Sequence, residues 1–127
     1  MKIVPLLVVA AAVLAAPATA QEAPRFTLEQ RMQLRCSAVF AVVAGEQHRG
    51  VAWAAAYPPL AERGREYFAR TGARLMDDLK ISREQAEASI RSAAEAVQKE
   101  ANAAPDRAAY IDSLMQPCLS ALEASGL

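Results

Sequence analysis

The segment 27–43, TLEQRMQLRCSAVFAVV, decides the fold class predicted for this chain. It opens with a capping box, because the Thr27 side chain can accept from the Gln30 amide while Gln30 reaches back to the Thr27 amide. Apolar residues then recur three and four positions apart, which is the spacing of one helical face. They are Leu28, Met32, Cys36, Val39, Phe40 and Val43. The segment therefore predicts a helix that begins at Thr27 and ends near Gln47.

Three more helices and one short helical segment are predicted beyond this one. The short segment covers 51–57, and Pro58 and Pro59 end it and open the second helix. The apolar face of the second helix comprises Leu60, Gly64, Phe68, Leu75 and Leu79. A second capping box, SREQ, opens the third helix at Ser82. Its apolar face is thin and rich in alanine, so a neighbouring helix can approach it closely.

The last helix is predicted from Asp106, after the break NAAPD. Pro117 either kinks this helix or restarts it as a short helix through Glu123, because proline removes a backbone donor. No segment shows the alternation of polar and apolar residues that is typical of a strand. The predicted fold is all-α, a small bundle of about four main helices plus a short one.

The first twenty residues, MKIVPLLVVAAAVLAAPATA, have the three parts of a secretory signal peptide. Lys2 provides the positive charge, 3–16 the apolar run, and 18–20 the small-x-small cleavage motif. Prolines keep the clean apolar run below the roughly 18–20 residues that a membrane-spanning helix needs. We therefore expect a signal peptide at 1–20, a single exported domain at 21–127 in the periplasm of a bacterium, and no stable membrane insertion after cleavage.

The two cysteines are expected to form one disulfide, as is usual in an exported chain. Cys36 lies on the apolar face of the first helix and Cys118 on that of the last, so both are predicted to point inward. The alternative is a redox-active pair, but redox cysteines are usually close in sequence and exposed. We predict that Cys36–Cys118 is a structural bridge between the first and last helices.

Composition and motifs provide no support for catalysis, a cofactor or nucleic-acid binding. The 14 Lys and Arg residues balance the 14 Asp and Glu residues, so no basic excess attracts phosphate backbones. His48 is the single histidine and is interpreted as a solvated turn residue, which leaves too few ligands for a metal site. Asp77 and Asp78 are interpreted as residues that help to end the second helix. No phosphate-binding loop or nucleophile motif is present. We expect a protein that is not an enzyme and holds neither metal nor cofactor.

Three arginines of the second helix, Arg63, Arg70 and Arg74, are spaced to share one side of it. The guanidinium group binds carboxylates and other anions in bidentate fashion, so this side is a candidate anion clamp. The alternative is a solvated helix face on which Glu62 and Glu66 pair with the arginines locally.

Trp53 and Tyr57 belong to the short segment before Pro58. Large aromatic residues dominate binding hot spots, which makes this pair a second part of the candidate binding surface. The alternative is that Trp53 covers the open end of the bundle, because large aromatic residues are mostly buried in small domains.

These patterns favour a non-enzymatic binding or interaction protein whose protein or small-ligand partner is unknown. A first alternative is a periplasmic stress holdase that exposes its thinly packed interior on acidification or reduction, and a second is an enzyme of unknown class. The layout is similar to that of acid-stress periplasmic chaperones and some periplasmic immunity proteins. That resemblance is one of architecture alone and assigns no residue a role.

Overall fold

The computed structural model describes residues 22–127, which form four α-helices and one 3₁₀ helix without a β-strand. The elements are α1 (Leu28–His48), the 3₁₀ helix (Ala52–Ala56), α2 (Ala61–Leu79), α3 (Arg83–Ala103) and α4 (Arg107–Ala124). The predicted all-α class and the number of helices are confirmed. The predicted signal peptide at 1–20 lies outside the described residues. Within 22–127, no helix is both long and apolar enough to cross a membrane.

The starts of α1, α3 and α4 follow the capping signals in the sequence, whereas α2 begins at Ala61, after the predicted start at Pro58 and Pro59, and has no side-chain cap. The Gln30 amide donates to Thr27 Oγ1 at 3.2 Å, and the Thr27 amide donates to Gln30 Oε1 at 2.9 Å. The same reciprocal pair joins Ser82 and Gln85 at the start of α3, and the Asp106 carboxylate caps α4. Each cap satisfies amides that the first turn of a helix leaves without a partner, so these residues determine where the helices begin.

The helix α1 lies at the centre of the bundle, and α2, α3, α4 and the 3₁₀ helix all pack against it. Its middle is buried on several sides at once, through Cys36, Ser37, Ala38, Val39, Phe40, Val42 and Val43. The helix α2 runs antiparallel to α1, since Gln47 contacts Leu60 at one end and Gln30 contacts Asp78 at the other. α4 is antiparallel to α1 as well. The helices α2 and α4 therefore share α1 as a common support.

The most extensive helix pair is α1 with α3, and small residues make it possible. The alanines of α3 that are buried or half-buried in the interior are Ala86, Ala93, Ala94 and Ala101. Larger side chains, Ile90 and Val97, fill the spaces between them. The thin apolar face that the sequence predicts for the third helix is thus the face that lies on α1.

Three residues predicted to lie on buried faces are exposed instead. Leu28 is 76% exposed, Met32 51% and Phe68 37%. Helical spacing identifies one side of a helix but not how far its neighbours extend. Leu28 is in the first turn of α1, and Met32 lines a groove that α2 and α4 leave open. Phe68 lies at the rim of α2 towards α3, beside Gly72 and Ala73.

The helix α4 continues past Pro117, so the predicted alternative of a restarted short helix is wrong. Pro117 is exposed, and the ring therefore displaces no packed neighbour. The buried residues Ile111, Met115, Cys118 and Leu122 are three or four positions apart on one uninterrupted face. Helical spacing is sufficient to direct Cys118 towards α1, and no restart is needed.

The predicted disulfide between Cys36 and Cys118 is confirmed. The two Cα atoms are 5.2 Å apart, and both residues are almost fully buried. The bridge joins the middle of α1 to α4 across a sequence separation of 82 residues. It therefore ties the first helix to the last within the core.

Replacing both cysteines, as Cys36→Ala/Cys118→Ala, should lower the free energy of unfolding. Closure of a loop this long contributes about 4.5 kcal/mol in the chain-entropy model, and two buried sulfurs are lost as well. Urea unfolding followed by far-UV circular dichroism measures the difference. Reduction of the wild-type protein is the matched comparison, because it opens the loop without removing either sulfur. A double variant as stable as the oxidised protein would contradict the structural role.

Gly64 sets the close approach of α2 to α1. A Cβ atom at Gly64 would lie 3.2 Å from the Phe40 Cβ, whereas one at Gly72 would meet only Ile90 Cδ1 at 3.9 Å. We expect Gly72→Ala to stabilise the protein by up to about 1 kcal/mol through helix propensity. Gly64→Ala should be about 1–3 kcal/mol less stable than Gly72→Ala, because it overpacks the contact with Phe40. Thermal unfolding of both variants measures the difference. Equal stabilities would show that the contact with Phe40 relaxes enough to admit a methyl group at position 64.

Candidate functional site

The aromatic part of the predicted surface lies over the core. The rings of Trp53 and Tyr57 meet edge to face at 6.4 Å, and both are half-buried against the main hydrophobic cluster. The Tyr57 hydroxyl donates to Asp112 Oδ1 at 2.7 Å. Burial, together with this hydrogen bond, raises the pKa of Tyr57 to about 12. The pair joins the 3₁₀ helix to α4 and lies apart from the groove between α2 and α4.

Two of the three predicted arginines hold the end of α4. Arg63 donates to Glu123 Oε1 at 2.7 Å and to the backbone oxygen of Leu127. Arg70 donates to the Ser125 carbonyl at 3.2 Å and pairs with Glu66 at 3.1 Å. Cations at this place are favourable because the last carbonyls of a helix carry partial negative charge and lack partners within the helix.

The third arginine, Arg74, lies in an open groove of about 430 Å³ between α2 and α4, the α2–α4 groove. The wall from α2 consists of Tyr67, Arg70, Thr71 and Arg74. The wall from α4 and its C-cap consists of Ala121, Ala124 and Ser125, and α1 contributes Glu29, Met32 and Gln33. The groove exists because α2 and α4 both pack on α1 but make little contact with each other.

Several polar groups of this groove have no partner within residues 22–127. The Tyr67 hydroxyl, the Thr71 hydroxyl and the Arg74 guanidinium form no hydrogen bond or ion pair there. The Gln33 Oε1 atom is buried without a partner, while Gln33 Nε2 donates to Glu29 Oε1 at 3.2 Å. Buried polar groups are nearly always hydrogen-bonded in folded proteins, so such a group beside an open groove calls for an explanation.

Charges of both signs act on the Tyr67 hydroxyl. Burial raises the pKa of Tyr67, the positive charge of Arg74 lowers it, and the negative charge of Glu29 raises it. The net direction is upward, so the phenol keeps its proton at neutral pH and remains a hydrogen-bond donor. The groove thus combines donors from α2 with acceptors from α1, and the methyl and thioether groups of Met32 and the two alanines provide its apolar surface.

The buried carboxylate of Glu46 has two arginine partners. The Glu46 carboxylate is 8% exposed and accepts from Arg49 at 2.9 Å and from Arg107 at 3.1 Å. Burial raises the pKa of Glu46, but the hydrogen bonds and charges of the two arginines lower it by more. Arg107 also donates to Gln98 at 3.0 Å, which joins α1, α3 and α4. Both arginines bind the Oε1 atom of this carboxylate, so the Glu46 charge is neutralised by two cations.

A second network joins the same three helices. Arg35 donates to Glu100 at 2.5 Å and to the Tyr110 hydroxyl at 2.7 Å, and that hydroxyl also donates to Glu100. The hydrogen bond from Arg35, and then that from Tyr110, lowers the pKa of Glu100. Every polar group of this network therefore has a partner, in contrast to Tyr67, Thr71 and Arg74 of the α2–α4 groove.

Sequence reasoning identified Arg70 and Arg74 of the groove but missed its other polar residues. Tyr67, Thr71 and Arg74 are spaced i, i+4 and i+7, so one polar strip on α2 was visible in the sequence. Glu29 and Gln33, one turn apart on α1, gave no comparable signal, because they look like any exposed pair on a helix surface.

The remaining candidates do not assemble into a site. His48 is exposed at the end of α1, and Asp78 accepts from Gln30 at 3.3 Å beside the end of α2. In the part of the chain that the structure describes, no group of three or more His, Cys, Asp or Glu side chains is placed to hold a metal ion. The chain matches no protein-family model, no curated protein and no solved structure. The function of the α2–α4 groove therefore has to be inferred from the chemistry of its own side chains.

If the Thr71 hydroxyl serves the groove and not the fold, Thr71→Val should leave stability nearly unchanged. No intramolecular hydrogen bond is lost, so the free energy of unfolding should change by less than about 0.5 kcal/mol. The matched control is Thr27→Val, which removes the cap of α1 and should cost about 1 kcal/mol. Urea unfolding compares the two variants. An equal loss in both would show that Thr71 supports the fold.

Proposed function

We propose that this protein is a non-enzymatic binding protein of the bacterial periplasm that holds a small ligand in the α2–α4 groove. One observation carries the proposal: the hydroxyls of Tyr67 and Thr71 and the guanidinium of Arg74 converge on one groove without a hydrogen-bond partner in residues 22–127, beside the buried and unpartnered Gln33 Oε1. Polar groups that converge on a pocket and lack protein partners are what a ligand completes.

The size and chemistry of the groove support a small ligand. A volume of about 430 Å³ lies in the range of small-molecule sites, roughly 300–1,000 Å³. Its α2 side chains are suited to hold a molecule in place. The guanidinium group has donors and no acceptor, and burial raises the pKa of Tyr67, so both side chains are suited to donate hydrogen bonds.

The leader-like segment 1–20 and the Cys36–Cys118 bridge support the periplasmic location. A disulfide persists in oxidising compartments, and the bacterial periplasm is one of them. The two features are independent, since one is a targeting pattern in the sequence and the other a covalent bond in the core.

A blocked groove tests this function. Ala124→Trp places an indole at the exposed mouth of the groove, whereas Ala109→Trp places one on the exposed side of α4 away from it. Each protein is dialysed against the small-molecule fraction of a bacterial periplasmic extract, and retained compounds are measured by mass spectrometry. We expect at least one compound to be enriched by the wild type and by Ala109→Trp, and at least fivefold less by Ala124→Trp, because the indole fills the site.

Two results would overturn the proposal. One is that no compound is enriched by the wild-type protein. The other is that Ala124→Trp retains every enriched compound as well as Ala109→Trp does, which would place binding outside the α2–α4 groove.

A further inference from the structure

The α2–α4 groove has charges of opposite sign on two of its walls. Arg74 extends from α2 and Glu29 from the first turn of α1, and both act electrostatically on the Tyr67 hydroxyl. The Tyr67 phenol therefore marks a place that both charges reach. Arg74 and Glu29 do not form an ion pair with each other. Within residues 22–127 the Arg74 guanidinium forms no hydrogen bond or ion pair.

Each charge has uncharged groups of matching character beside it. The hydroxyls of Tyr67 and Thr71 are available as donors near Arg74, because all three side chains follow one another along the same face of α2. On α1, the unpartnered Gln33 Oε1 is an acceptor that lies next to the Glu29 carboxylate. The α2 wall of the groove is thus suited to a carboxylate and the α1 wall to an ammonium group.

We propose that the ligand of the α2–α4 groove is a zwitterion of the α-amino acid class with an apolar side chain. Its carboxylate accepts from the Arg74 guanidinium, with Tyr67 and Thr71 as further donors, and its ammonium group donates to Glu29 and Gln33 Oε1. Its side chain packs on Met32, Ala121 and Ala124. This inference rests on the proposed function, since it specifies what that groove binds.

The two walls also explain which simpler ligands the groove disfavours. A monocarboxylate without an amine leaves the Glu29 carboxylate without a cationic partner and places a negative charge near it. An amine without a carboxylate leaves Arg74 without a partner and is repelled by both Arg74 and Arg70. Complementary charge on the two walls is therefore the source of specificity, because each wrong ligand meets a like charge or an unmatched one.

Two sets of three compounds test the carboxylate and the ammonium group of the ligand separately. L-leucine is compared with 4-methylpentanoate, which lacks the amine, and with 3-methylbutylamine, which lacks the carboxylate. L-phenylalanine is compared with 3-phenylpropanoate and 2-phenylethylamine in the same way. Binding to the whole domain, residues 21–127, is measured at neutral pH by isothermal titration calorimetry. We expect at least one amino acid to bind at least about tenfold more tightly than either of its analogues, since each lost charged hydrogen bond costs about that factor.

Matched variants locate each charge. Glu29→Gln should bring the affinity for the amino acid down to that for the carboxylate analogue, and Arg74→Gln should bring it down to that for the amine analogue. Arg65→Gln, at an exposed position of α2 outside the groove, is the control and should bind as the wild type does. Far-UV circular dichroism verifies folding, and the comparison of analogues on the wild-type protein does not depend on any variant.

The outcomes distinguish this inference from the proposed function. If the carboxylate analogue binds wild type as tightly as its amino acid, the zwitterion is overturned and a plain anion site is left. If neither amino acid binds although the dialysis enriches a compound that Ala124→Trp loses, the ligand class is wrong and the groove still functions. If the dialysis fails as well, both proposals are overturned.

Discussion

The burial of α1 on nearly all its sides is the constraint on which the rest of the structure depends. Its middle section, from Cys36 to Val43, is almost entirely withdrawn from solvent. A helix that is apolar around most of its circumference is stable only when several neighbours cover it. Every other element packs on α1 for this reason, and the Cys36–Cys118 bridge holds α4, the element furthest from it in sequence, in place.

A central helix has a geometric consequence for its neighbours. Helices that all lie against one cylinder need not lie against one another, and α2 and α4 make little mutual contact. What joins them is a set of polar bonds at the end of α4, where Arg63 and Arg70 bind Glu123 and the carbonyl of Ser125. These bonds hold the two walls of the groove together without filling the space between them. The fold thus produces a groove without any strained or specialised backbone.

The sequence predicted the helices well because their signals are local. The capping boxes at Thr27 and Ser82 depend on residues three positions apart, and the disulfide followed from there being only two cysteines, each on an apolar face. Met32 and Phe68 were misjudged because their exposure depends on how far other helices extend. Helical periodicity contains no such information. A restart at Pro117 was wrong for the related reason that an exposed proline within a supported helix can be accommodated.

The three arginines show most clearly what lies beyond a sequence pattern. Arg63, Arg70 and Arg74 are chemically alike and share one side of α2. Arg63 nevertheless binds Glu123, 60 positions away, and Arg70 binds Ser125, 55 positions away, in addition to its neighbour Glu66. The helix α4 ends at Ala124, and its C-cap Ser125 accepts from Arg70, whereas Arg74, one turn further along α2, forms no hydrogen bond to this end of α4. Arg63 and Arg70 therefore bind the end of α4, whereas Arg74 has no hydrogen-bond partner in the described residues. That remaining charge, opposite Glu29 and beside two hydroxyls without partners, is what turns a gap between helices into a candidate site.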